Sequence, residues 1–152
     1  MLERFLPRTE FSSYEDFKLN YKLNVPKDFN FGFDIVDGWA KKDSSKRALV
    51  WCDDHGHEKV LTFEEIRRLS NKAAHFFRSL GIRKGTRVIL ILRRRWEYWV
   101  CAVALHKLGA PIVPATIQLT HKDIAYRANA ALAEAVVCVN DPFVVEQMEL
   151  AL

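Results

Sequence analysis

Glycine is scarce in this chain. The 152 residues hold six, at 32, 38, 56, 81, 85 and 109, and no two are adjacent. A loop that cradles phosphates with consecutive backbone N–H groups is built from clustered glycines, so none is expected in this stretch. Cysteine is scarcer: Cys52, Cys101 and Cys138 are too few and too scattered for a disulfide framework. Cys101 and Cys138 sit inside apolar runs and read as buried thiols. No apolar run approaches the roughly 18 residues that a membrane span requires. The opening "MLERFLPRTEF" has charges where a secretory signal has its apolar centre. Export is therefore not expected, and a cytoplasmic location is. Repeats and low-complexity segments are absent.

What is present is the balance of a globular domain: 49% hydrophobic and 28% charged residues. The net charge of +4 suits an anionic ligand, a nucleic acid or neither. Residues 1–31 show no sustained period. Within them "SSYEDFKLNYKL" fits a short helix started by Ser12 or Ser13, followed by a connector at Pro26. Phe33 to Lys42 reads as a helix with Ile35, Val36 and Trp39 on one side. Arg47–Cys52 and Lys59–Phe63 read as the strands of a hairpin around the turn formers Asp53, Asp54, His55 and Gly56. Thr62 and Glu65 have capping-box spacing. Ile66, Leu69, Ala73, Phe76, Phe77 and Leu80 then fall on one helical face, and Gly81 can take the left-handed stop.

The second half alternates. Thr86 to Leu92, "TRVILIL", suits a strand covered on both faces. Arg95 to Leu108 is apolar nearly all round, as a sandwiched helix would be, and Gly109 ends it. "APIVPA" is a strand whose prolines suit an edge or a strand end. Thr120 can cap a helix to about Leu132. "AVVCVN" is a third strand, and Asp141–Pro142 opens a last helix. The expectation is an α/β fold. It has a partial parallel sheet with flanking helices, β-α-β-α-β-α, preceded by an N-terminal helical segment and a β-hairpin.

In a parallel sheet the carboxyl ends of the strands share one edge, and ligands bind there. Arg93, Arg94 and Arg95 follow the first parallel strand, Thr116 to Gln118 the second, and Asn140 and Asp141 the third. Thr116 and Gln118 are the candidate ligand contacts; the alternative is that they are ordinary polar groups of a loop. The arginine run admits three readings: a solvated loop, a loop facing nucleotide or coenzyme A phosphates, or a nucleic-acid patch with Arg67, Arg68, Arg83, Lys84 and Arg87. Interrupting acidic residues weigh against nucleic acid. "WCDDHGH" offers Cys52, Asp53, Asp54, His55 and His57, but it has no second ligand pair at a zinc spacing, so a turn is the better account. No metal site and no catalytic residue is assigned.

Several stretches resemble the adenylate-forming enzymes (AMP-dependent synthetases and ligases), nearest to the medium-chain acyl-CoA synthetases. They are "FNFGFDIVDGWA" (29–40), "LTFEEI" (61–66) and "GTRVILILRRRWEYWVCAVALHKLGAPIVPATIQLTHKDIAYR" (85–127). The resemblance implies ATP-driven activation of a small carboxylic acid to an acyl-adenylate, with Mg²⁺, and transfer to coenzyme A. It places Gln118 at a position associated with the coenzyme A channel. Thr116 matches a threonine of the same loop, and Ile117 departs from it. The family's phosphate loop, its Tyr-Gly-x-Thr-Glu segment, its ribose-binding aspartate and its lid lysine have no counterpart here. The resemblance thus implies an inactive N-terminal fragment that binds no cofactor tightly. In it, residues 1–32 are an extension and 33–152 the first, incomplete part of the domain. Its partners would be the remainder of the enzyme and, through exposed apolar surface, a second copy. A stand-alone nucleotide- or partner-binding module is the competing reading.

Overall fold

The computed structural model describes residues 2–151. After a single 3-10 turn, α1 (Tyr14–Asn20) begins at Ser13, whose hydroxyl accepts the Asp16 N–H at 3.1 Å. A π-helical turn (Phe31–Asp37) runs directly into α2 (Gly38–Lys42). The regular helix expected from residue 33 to 42 is corrected here. Asn30 Oδ1 accepts the N–H groups of Gly32 and Phe33, so the turn begins two residues early. The wider turn then brings Asp37 against a lysine 70 positions away.

Strands β1 (Arg47–Cys52) and β2 (Glu58–Thr62) form the antiparallel hairpin. Phe63, expected as the last strand residue, instead opens α3 (Phe63–Ser79), because Thr62 is the cap. Both halves of the capping box are made: Thr62 Oγ1 accepts the Glu65 N–H at 3.2 Å, and Glu65 Oε2 accepts the Thr62 N–H at 2.8 Å. These bonds hold the Glu65 carboxyl below its ordinary value, first through the Thr62 backbone N–H.

Strand β3 (Val88–Ile91) is two residues shorter at its start than the run "TRVILIL", because Thr86 closes a turn with Arg83. Its four side chains are at most 1% exposed. Burial of each contributes roughly 1.5–3 kcal/mol. Helix α4 (Trp96–Leu108) follows, then β4 (Ile112–Pro114), α5 (His121–Ala131), β5 (Ala135–Cys138) and α6 (Pro142–Ala151). The strand order is β4-β3-β5 and both pairings are parallel. β3 is therefore central, and the proline-bearing β4 lies at an edge.

The chain leaves β3 toward one side and returns past it to the other. Right-handed crossovers then put α4 and α5 on opposite faces. The packing agrees: α3 lies on α4, and α5 on α6. One core joins β3 to Phe77, Ala104, Leu105, Ile124, Val144 and Met148. A second core joins Val36, Leu61 and Ile66 to Val100 and Val103 of α4. Helix α4 lies between the two cores, which explains its apolar circumference. Gly109 ends it with φ 69°, and the Ala110 N–H returns to the Leu105 carbonyl at 2.9 Å.

Candidate functional site

The parallel register fixes which loops meet. Beyond the paired residues, the Ala115 N–H donates to the Leu90 carbonyl at 2.9 Å and the Val139 N–H to the Ile91 carbonyl at 3.0 Å. The segments 92–95, 115–118 and 139–141 therefore leave the sheet at one edge. Thr116 and Gln118 are both exposed on it. The Gln118 N–H faces Thr116 Oγ1 at 3.4 Å, so the threonine hydroxyl shapes the loop. Among the described residues the Gln118 side-chain amide makes no hydrogen bond. Asp141 is spoken for: its Oδ1 accepts the N–H groups of Phe143 and Val144 and caps α6.

The turn from β3 to α4 is held from outside. Arg93 has φ 53°, a left-handed conformation uncommon for a residue with a Cβ. Trp51 of β1 donates its Nε1–H to the Arg94 carbonyl at 2.6 Å. Lys59, paired with Trp51 across the hairpin, places Nζ 4.0 Å from the Trp96 ring. Arg93, Arg94 and Arg95 are all exposed. Arg95 Nη1 lies 3.9 Å from Glu97 Oε1, while Glu97 Oε2 is buried and, among the described residues, has no hydrogen-bond partner. One turn on, Cys101 is pushed up to about 11 by burial and then by the Glu97 charge, so it stays a thiol.

The "WCDDHGH" segment is the hairpin turn. Asp53 Oδ1 accepts the N–H groups of His55 and His57 at 2.9 Å each, and the His57 ring lies 2.8 Å from Oδ2. That ring contact, first, holds the Asp53 carboxyl at about 2. His121 also has a structural task, donating its N–H to Gln147 Oε1 at 2.9 Å.

Sequence reasoning missed two arrangements. One is the Trp51 contact with the arginine turn. The other is Lys107, whose side chain is 2% exposed. Its Nζ donates to Asp37 Oδ1 and Asn71 Oδ1, each at 2.7 Å, and lies 5.5 Å from the Phe33 ring. A Cβ on Gly32 would meet Lys107 Cγ at 2.5 Å, so the glycine is what lets the stem pass. A lysine surrounded by apolar helix residues was a local signal. Its acceptors, however, come from two other elements.

A family model described as AMP-binding enzyme matches residues 36–151, and the chain belongs to that family. Its curated relatives include human "Acyl-coenzyme A synthetase ACSM3, mitochondrial", 38% identical over 133 residues, which are 84% of this chain and 23% of the relative. Rat "Acyl-coenzyme A synthetase ACSM4, mitochondrial" is 40% identical over 119 residues, 74% of this chain and 20% of the relative. Among solved structures, the Mycobacterium tuberculosis fatty acyl CoA synthetase superposes with a TM-score of 0.69 at 22% identity, over 79% of this chain and 23% of that one. The benzoate CoA ligase of Burkholderia xenovorans LB400 gives 0.67 at 24%, over 81% and 24%. These two likenesses show the α/β fold. The chain spans less than a quarter of the length of the curated relatives named here.

Proposed function

We propose that this chain is the leading part of an acyl-CoA synthetase, with residues 1–32 as an extension and 33–152 as the start of the N-terminal domain. The whole protein would activate a fatty or aromatic acid with Mg-ATP, giving an acyl-adenylate and pyrophosphate, and coenzyme A thiol would then displace AMP. The observation that carries this reading is the 38% identity to an acyl-coenzyme A synthetase across 84% of the chain. The strand-tip geometry supports it. Gln118 presents a side-chain amide that is unpaired among the described residues, and Thr116 shapes its loop, an arrangement open to a coenzyme A contact. The polyanion chemistry needs donors and a metal to offset charge. On this reading the 152 residues act as scaffold and one wall of the channel, and turnover needs the remainder of the enzyme.

The test is acid-dependent ATP–pyrophosphate exchange, run on this chain and on the product of the full reading frame. Exchange by the longer protein alone supports the proposal. Sustained exchange by the 152 residues overturns the inactivity, and no exchange by either favours a stand-alone binding module. Among the described residues no helix is long and apolar enough to cross a membrane. The curated relatives named above are mitochondrial, whereas the charged N-terminus suits a cytoplasmic protein. Imaging the tagged full reading frame decides between these compartments.

A further inference from the structure

We propose that the turn Arg93–Arg95 is a binding site for a phosphate-bearing nucleotide, and that Trp51 of the hairpin is its positioning residue. The choice of a nucleotide rests on the function proposed above; the phosphate chemistry rests on geometry. Three guanidinium side chains stand exposed on consecutive residues. Among the described residues Arg93 and Arg94 have no carboxylate partner, and Glu97 draws only on Arg95, at 3.9 Å. The run leads straight into the N-terminus of the 13-residue α4, where Arg95 supplies no side-chain cap. The first N–H groups of a helix carry positive partial charge, so the arginines add like charge to like. A phosphate relieves both, and arginine matches its oxygens in a two-pronged geometry.

The turn is also prepared rather than loose. Trp51 fixes the Arg94 carbonyl toward the hairpin, and the left-handed Arg93 re-aims the chain between strand and helix. The segment lies at the carboxyl edge of the sheet, beside the β4 tip that carries Thr116 and Gln118. One phosphate-bearing ligand along that edge could engage both tips.

The isotope-labelled chain, titrated with adenosine 3′,5′-bisphosphate and separately with pyrophosphate, should show saturable amide shifts at 93–97. Affinity should fall roughly tenfold or more in R93Q/R94Q, as loss of charged hydrogen bonds implies. W51F keeps the ring and removes the donor; it should weaken binding severalfold with an unchanged circular dichroism spectrum. Equal affinity in R93Q/R94Q, or shifts confined elsewhere, overturns the proposal. So does steep, salt-sensitive retention of duplex DNA that R93Q/R94Q abolishes, which would give the turn to nucleic acid. In the full-reading-frame enzyme, R93Q/R94Q should raise the KM for ATP or coenzyme A with kcat kept. An unchanged KM in an active enzyme sinks this proposal alone. Phosphate binding by a longer protein without exchange sinks only the function above.

Discussion

At the C-terminal end of α4 the Lys107 side chain is 2% exposed, and its ammonium lies 2.7 Å from each of two acceptors. At the N-terminal end three arginines stand in solvent, and two have no carboxylate partner among the described residues. The first charge sits where the helix dipole welcomes a cation, the second where it opposes one. The difference separates what the fold needs from what it leaves open. The Lys107 corner ties the π-turn, α3 and α4 together. The arginine turn is held in shape by the rest of the chain, while among the described residues Arg93 and Arg94 make no ion pair.

The contrast can be broken by substitution. K107M should cost about 3–5 kcal/mol in denaturant unfolding, because Asp37 is left buried and unpaired. The double variant K107M/D37L should recover most of that loss; if K107M alone is harmless, the corner is not a structural tie. Thr62→Ala removes a hydroxyl from the α3 cap and should cost about 1 kcal/mol. The Glu65 half of that cap has a sign in pH. Its carboxyl is held below the ordinary 4.5, so its contribution is complete above that value and disappears as pH falls through the lowered one. The Glu65 share of the decline in unfolding midpoint should therefore fall between pH 5 and 3 and be missing in Glu65→Ala, while any decline between pH 7 and 5 belongs to His106, whose imidazole burial holds below its ordinary value. R93Q/R94Q should leave stability within roughly 0.5 kcal/mol of the parent. A loss as large as that of K107M would mean that the arginines are structural and would erase the contrast.

Local chemistry was legible in the sequence. The cap at Thr62, the start of α1 at Ser12 or Ser13 and the stop at Gly109 need only neighbours within a turn. The run Val88–Ile91 declared itself as a doubly covered strand because all four side chains are apolar. What escaped was long-range. Asp37 and Asn71 reach Lys107 across 70 and 36 positions, and Trp51 reaches Arg94 across 43. No spacing rule encodes such pairs. The π-turn was missed for the same reason, since its width serves a partner outside it. At the edge of the sheet the sequence placed Thr116 and Gln118 on the correct tip, but it did not foresee that the Thr116 hydroxyl faces its own loop.

The strand order carries a consequence for synthesis. β3 is made before either strand that flanks it, and its second neighbour is complete only at Cys138. During translation Val88 to Ile91 must wait, greasy and unzipped, while about fifty further residues leave the ribosome. The earlier hairpin and α3 can close meanwhile, so a nascent chain stalled near codon 140, with β3 clear of the exit tunnel and β5 still inside it, should draw chaperones through this one segment.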